Sequence, residues 1–372
     1  MIHLPYGGSS ASRTIGCPGW LKKSENIPPR PAGQAAIDGS MHHTIMELCQ
    51  KELSTPEDNL GFLYTENGTQ RYFTEDDLDL SNIAYNATNQ LLDDLNIDEM
   101  EIEPFVQMVN GHAGGSIDLL GLSEDRKTLL ILDYKFGQVK VNPTENAQGG
   151  VYGVSVMRDT STADMLNDVE KVIFAIVQPR VKGVVSTWET DVQWLKDFEQ
   201  KFLEAMASDD ITPGKHCKWC PAEPYCEAKR LNIAATNLLG ARELTELQAA
   251  ADMVQETEAW VKSMHEEMYL QLNRGVPLKG WKIVEKRAQR KWIDEDVVTD
   301  ALKGKLAVTK MHKNTLLTPA QLEKVVKKNK VVIDLEEFII SKSSGTTIAT
   351  DDDSRDAVIV SDVQGHLKDM MK

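Results

Sequence analysis

The sequence predicts an α/β fold, a mixed central sheet flanked by helices, followed by a mostly helical α+β region. Three observations carry this. Between residues 35 and 207 the apolar spacing changes from three and four, to short strand-like runs, and back to helical spacing. Two of those runs, 129–135 and 172–177, are apolar almost without interruption and read as strands buried on both faces. Beyond residue 235 the pattern turns to one long helix and several shorter helical pieces.

The elements follow in order. Residues 1–34 are loop-rich, with Gly7-Gly8, Ser9-Ser10 and Pro28-Pro29 as breakers. Ile37, Met41, Ile45 and Leu48 predict a helix over 35–53; residues 54–70 are polar and turn-rich, and a second helix covers 77–96. Strands are expected over 105–109, 114–120 and 129–135, with a polar turn over 121–128. A helix including 146–158 contains Gly149-Gly150. Glycine costs about 1 kcal/mol in a helix interior, which predicts a late start or a bend there. The strand at 172–177 is closed by Pro179, and Val192, Leu195, Phe198, Phe202 and Met206 mark a helix over 189–207. This order, helix, three strands, helix and strand, implies a mixed sheet covered by helices. Further on come a helix over 241–273, with Leu247, Val254, Val261, Met264 and Met268 on one face, and a helical piece at 318–328. Between and beyond them lie the apolar run 331–333 and a polar stretch, 343–356, that reads as a mobile loop. Two domains are expected, 1–235 and 236–372.

Composition narrows the class. The 372 residues are 41% hydrophobic and 26% charged, enough for a substantial core in a globular protein. The net charge of −16 argues against a surface coated in basic residues, although a local basic groove is compatible with it. No apolar run is long enough to span a membrane, and the first residues lack a charged segment followed by an apolar one, so a cytoplasmic location is expected. Five cysteines, an odd number, do not suggest a disulfide framework; three of them are closely spaced, which points to ligation of a metal or cluster.

Asp118 follows Gly-Ser-Ile, and fifteen positions later Asp133 and Lys135 stand at i and i+2 of an apolar strand. Alternate strand residues share a face, so these two point one way and Tyr134 the other. Charges in such a strand are costly unless paired or bound to a cation. Two carboxylates suit Mg²⁺ or Mn²⁺, which take oxygen ligands together with water and phosphate, and an adjacent ammonium can position water or offset developing charge. On a helix before the sheet, Gly39, His43 and Glu47 recur every four residues; after the lysine, Gln148 and Tyr152 do the same.

Together these residues resemble the PD-(D/E)XK nuclease superfamily, with Asp118 as the first acid and Asp133-Tyr134-Lys135 as the (D/E)-x-K element. More closely they resemble its RecB-like exonuclease branch, which has a helical histidine before the sheet and a Gln-x-x-x-Tyr helix after the lysine. The resemblance covers residues 10–230. It implies a restriction-endonuclease-like sheet and catalytic roles for Asp118, Asp133, Lys135, His43, Gln148 and Tyr152. In the branch the histidine supports metal binding, making His43, Asp118 and Asp133 the expected metal residues, and the Gln/Tyr pair contacts DNA or orders the site.

Cys217, Cys220 and Cys226 provide three thiols within ten residues, and Lys215, Lys218 and His216 are expected to favour thiolates. A closed site needs a fourth ligand, for which Cys17, in a loop before Pro18, is the best candidate; Cys49 sits within a helical pattern and reads as a small buried hydrophobe. Four thiolates suit zinc or an iron–sulfur cluster. The resemblance favours the cluster. Some RecB-like nucleases, the AddB type and the CRISPR-adaptation exonucleases, have one cysteine before the nuclease motifs and three after them, with this same spacing in the trio. That implies a 4Fe–4S cluster on Cys17, Cys217, Cys220 and Cys226, acting as a staple, with Trp219 and Tyr225 as its shield and Zn²⁺ as the alternative.

Residues 279–292 hold six basic residues and one acid. Lys282, Lys286, Arg287, Arg290 and Lys291 with Trp281 and Trp292 suit single-stranded nucleic acid, by phosphate neutralisation and base stacking; an edge strand packed on its tryptophans explains them equally well. This region loosely resembles phage-encoded nuclease-fold proteins. The function expected from all of this is a Mg²⁺- or Mn²⁺-dependent DNA exonuclease or end-processing nuclease in phage or bacterial replication or recombination. Its substrate would be single-stranded or end-bearing DNA, with a replication or recombination protein as a further partner. The alternative is a nuclease-fold module that binds DNA or protein without turnover. Oligomeric state has no signature in the sequence.

Overall fold

The computed structural model describes residues 4–28, 33–66, 68–108, 111–236, 244–311, 316–351 and 353–358. The chain divides into two compact units, Met1–Thr257 and Glu258–Lys372. The composition shift at 235/236 and this division bracket the first half of one long helix. No helix among the described residues is long and apolar enough to cross a membrane.

In the first unit, strand β1 (Tyr6–Gly7) and two short helices, α1 (Ala11–Gly16) and α2 (Trp20–Ser24), precede helix α3 (Gln34–Gln50). A hairpin of β2 (Leu63–Glu66) and β3 (Thr69–Tyr72) leads to α4 (Glu75–Asp94). Five strands follow: β4 (Ile97–Ile102), β5 (Phe105–Met108), β6 (Ala113–Ser116), β7 (Leu119–Ser123) and β8 (Thr128–Tyr134). Then come α5 (Ala147–Arg158), β9 (Lys171–Val177), β10 (Val185–Thr190), α6 (Val192–Met206) and α7 (Glu227–Thr236).

The main sheet has the order β10-β9-β8-β7-β4, with β8 and β9 parallel and the other pairs antiparallel. It is the mixed sheet flanked by helices that the sequence predicts. The parallel β8–β9 pair requires a crossover, which contains α5. Strand alternation sorts the apolar run of β8 between two cores. Leu129 and Ile131 pack with residues of α5 and α6, whereas Leu130, Leu132 and Tyr134 pack with residues of α3 and α4. Asp133 and Lys135 therefore continue the α5 face, while the Tyr134 hydroxyl lies 3.1 Å from Thr88 Oγ1 on α4.

The single strand expected over 114–120 is divided. Its first part, β6, belongs to a small sheet, β1-β6-β5, and its second part, β7, to the main sheet. The partner strand breaks at the same level, between β4 and β5. Glu103 N–H donates to Asp118 O (3.2 Å) and Ile117 N–H to Pro104 O (3.0 Å), so the ladder continues through the bend. Glu103 takes a left-handed backbone there, φ 56°. The strand expected to end at Val109 is described only to Met108. Strands β4 and β10 were not expected; both lie at sheet edges, and their polar, half-exposed sequences hide the strand period.

The glycines of α5 do not delay its start. The helix begins at Ala147, capped by the Asn146 side chain, which accepts from Gln148 N–H at 3.0 Å. A Cβ at Gly149 would lie 2.7 Å from the Phe174 ring, at Gly150 2.6 Å from Phe198, and at Gly153 2.5 Å from Leu195. The glycines bring α5 close to β9 and α6. We expect Gly150→Ala to destabilise the chain by about 1–3 kcal/mol through overpacking, despite its better helix propensity. Urea unfolding measures this; a stabilised variant would remove the packing explanation.

The second unit contains the second half of α8 (Leu244–Asn273), then β11 (Trp281–Glu285), β12 (Gln289–Trp292), α9 (Glu295–Leu302), α10 (Val308–Met311), α11 (Pro319–Lys328), β13 (Ile339–Lys342) and β14 (Thr346–Thr350). Two antiparallel ladders form, β11 with β14 and β12 with β13. Leu302, Leu322 and Val326 centre a small core. Where composition predicts a mobile loop over 343–356, the structure holds β14. Its β-branched Thr346, Thr347, Ile348 and Thr350 suit a strand; Asp352 lies outside the described residues.

Candidate active site

The bend between β6 and β7 presents Asp118 beside the end of β8, where Asp133 and Lys135 emerge. Helix α3 brings His43 to Asp118, with Nδ1 3.0 Å from Oδ1. The other Asp118 oxygen, Oδ2, accepts the backbone N–H of Tyr134 at 2.6 Å. Lys135 Nζ pairs with Asp133 Oδ2 at 2.5 Å and donates to Gln148 Oε1 at 3.1 Å. Gln148 Nε2 in turn donates to Asp133 Oδ1 (2.7 Å) and to the Tyr152 hydroxyl (3.1 Å). All six residues singled out in the sequence thus line one open cleft of about 270 Å³. Gly8 and Gly115 form a wall against the Tyr152 ring; a Cβ at Gly8 would lie 2.7 Å from it. Glu47, one turn beyond His43, is engaged by Lys51 at 2.6 Å.

Glu103 has no counterpart among the residues expected from the sequence. It lines the same cleft, and its carboxylate, His43 and Asp118 offer ligand atoms within 4.8 Å of one another. The only local signal is its place before Pro104, which ends β4. Spacing along the chain does not reveal it, because the double bend creates its proximity to Asp118.

The electrostatics reflect crowded acids. Burial, then the Asp118 charge, pushes the Glu103 carboxyl up to about 7. Burial also raises Asp133, against the pull of Lys135. At Asp118 burial acts upward but is outweighed, chiefly by His43, leaving this carboxyl below its ordinary value. Burial opposes charge on His43, yet Asp118 prevails and lifts its pKa to about 9. Three carboxylates, one imidazole and a few lone pairs facing a cleft form an oxygen-rich donor set of the kind Mg²⁺ or Mn²⁺ prefers. The buried Asp133 Oδ2 accepts no hydrogen bond, only the Lys135 ion pair. The residues fit a divalent cation.

Cys17, Cys217, Cys220 and Cys226 line a second, smaller pocket together with Arg13 and Trp20. Gly16 allows this approach, since a Cβ there would collide with the His216 ring. Cys49 is buried elsewhere, with Met41, Ile45 and Phe73. Two expectations are corrected. The flanking Lys215, Lys218 and His216 do not govern the thiols. Burial raises Cys17, Cys217 and Cys220, and the opposing cations are Arg13 at Cys17 and Cys220 and Lys229 at Cys217. Lys218 lies over the Trp219 ring, and His216 Nε2 contacts Thr212 O at 2.9 Å. Nor do Trp219 and Tyr225 shield the pocket: they are 71% and 56% exposed and neither belongs to its lining.

In the second unit, the basic aromatic segment forms β11, β12 and the three residues between them. Arg290 is engaged by Glu323 (2.5 Å) and Glu336 (2.6 Å), and Lys282 donates to Asp353 O (2.8 Å). Trp292 donates to Leu317 O and packs on the small core, and Trp281 is half-buried near His265. Lys286, Arg287 and Lys291 are exposed.

Residues 3–356 match a family model described as "Protein of unknown function (DUF2800)". No curated protein matches the chain. Among solved structures, a protein from Eubacterium rectale provisionally named an exonuclease is 10% identical, with a TM-score of 0.33, over 61% of this chain and 88% of its own. An alkaline exonuclease from Laribacter hongkongensis is 12% identical, with a TM-score of 0.23, over 62% of this chain and 98% of its own. Likenesses at these scores leave the activity to be read from the chemistry of the cleft.

Proposed function

Since the chain belongs to the DUF2800 family of proteins of unknown function, its site must supply the reading, and we propose a divalent-metal-dependent deoxyribonuclease of the PD-(D/E)XK type that acts on DNA ends in replication or recombination. The observation that carries this is the convergence of His43, Asp118, Asp133, Lys135, Gln148 and Tyr152, from four separate segments of the chain, in one cleft.

His43, Asp118 and Asp133 would hold Mg²⁺ or Mn²⁺, with Glu103 as a further donor on the His43 side. The cation supplies Lewis-acid polarisation of the scissile phosphate. The Lys135 ammonium, fixed by Asp133 and Gln148, orients the attacking water and offsets charge that develops on the phosphate. Asp133 keeps that ammonium protonated despite its burial. Gln148 holds the lysine and the Tyr152 hydroxyl in register, so the α5 face stays aligned with the end of β8.

A 4Fe–4S cluster on Cys17, Cys217, Cys220 and Cys226 completes the reading. Their shared pocket supports it, and so does their spacing. A zinc ion bound by four thiolates at about 2.3 Å would draw the sulfurs to about 3.8 Å from one another. No three of these four sulfurs lie within 4.8 Å of one another. The wider setting suits a larger group.

The test uses anaerobically purified protein with end-labelled single- and double-stranded DNA and with Mg²⁺, Mn²⁺ or EDTA. Metal-dependent shortening that EDTA abolishes is expected. DNA that is bound but left uncut with either metal would favour the non-catalytic module instead.

A further inference from the structure

The thiol pocket contains one polar group that the protein leaves unsatisfied. Arg13, on α1 one turn before Cys17, lines the pocket beside all four cysteines. Its Nη1 donates to the carbonyl of Trp219, between Cys217 and Cys220, and its guanidinium stacks over the Trp20 ring at 3.8 Å. These contacts fix the plane of the group. Its Nε is buried and has no hydrogen-bond partner. A buried N–H without an acceptor costs about 1–3 kcal/mol, so such a donor is normally satisfied by something. The other buried cation nearby, Lys229, is 1% exposed and has its acceptor in Glu256, at 2.7 Å.

We propose that Arg13 is a binding residue for the group held by the four cysteines, its Nε–H donating to an inorganic sulfide of an iron–sulfur cluster and its charge compensating the thiolates. This rests on the cluster reading above. A zinc ion would bring no acceptor of its own, whereas a cluster brings sulfides in addition to the cysteine sulfurs. Hydrogen bonds and charge near the sulfurs are among the features that set a cluster's potential and its hold on iron.

The test compares full-length wild type with Arg13→Met, which removes charge and donor, and Arg13→Lys, which keeps the charge but loses the planar Nε–H. Iron and acid-labile sulfide, the visible charge-transfer band, its bleaching by a chelator, and the midpoint potential are read for each. In Arg13→Met, bleaching should be roughly tenfold faster, the worth of one charge-assisted hydrogen bond, and the midpoint potential more negative. In Arg13→Lys the potential should recover towards wild type while bleaching stays fast. Wild-type bleaching and potential in Arg13→Met would overturn the proposal. If that variant does not fold, wild-type bleaching in Arg13→Lys overturns it alone. Wild-type protein that carries zinc, or no iron, would defeat the cluster reading itself and Arg13's role with it, leaving the nuclease reading to its own assay.

Discussion

Asp118→Asn should reduce metal-dependent DNA digestion on the order of 10³-fold while leaving the fold intact. Asp118 is the hinge of the site: one oxygen faces His43 and the other accepts the backbone N–H of Tyr134. The amide keeps the shape but gives up the charge needed to hold a cation. Mn²⁺ affinity, read by calorimetry or electron paramagnetic resonance, should fall together with the rate. Lys135→Met gives a different signature. It should lower turnover by about 10²–10³-fold with Mn²⁺ binding largely retained, because the ammonium acts on water and phosphate rather than on the cation. Asp118→Asn within tenfold of wild type would mean that the chemistry lies elsewhere in the molecule.

The other large effect is expected at the cysteines. Cys17 and Cys217 are 200 positions apart, and bridging them through one bound group removes loop entropy worth about 4 kcal/mol or more from the unfolded chain. Cys17→Ser and Cys220→Ser should each lose the visible chromophore and iron, and should lower the unfolding temperature. Cys49→Ser separates this from a mere packing loss. Cys49 is fully buried on α3, so a hydroxyl there costs stability while iron content stays at the wild-type level. Equal iron in all three variants would remove the staple.

The parts of the molecule legible in the sequence are those whose signal is local. Strand β8 declared itself by its apolar run, and alternation then fixed that Asp133 and Lys135 share a face opposite Tyr134. His43 and Glu47, like Gln148 and Tyr152, show through helical spacing. What stayed hidden depends on tertiary proximity. Glu103 meets Asp118 only because two neighbouring strands bend at the same level. Arg13 and Lys229 replace Lys215 and Lys218 as the cations near the thiols because α1 and α7 fold back to the pocket, while the adjacent lysines face outwards. Gly149-Gly150 looked like a weakness in α5 because a propensity scale takes no account of the Phe174 and Phe198 rings that need the space. Strands β4 and β10 were invisible because an edge strand with one wet face keeps too few apolar residues to mark its period.

The thiol pocket also sets an order of events during synthesis. It draws one wall from residues 13–23 and the other from residues 211–226. At about 5–20 residues per second, on the order of 10–40 s pass between the emergence of Cys17 and that of Cys226. Throughout that interval Cys17 lacks at least one of the other three pocket thiols, while the strands and helices between the two walls are already being made. A group held by all four thiolates would be completed only after Cys226 has emerged, which would place its insertion later than the synthesis of those strands and helices.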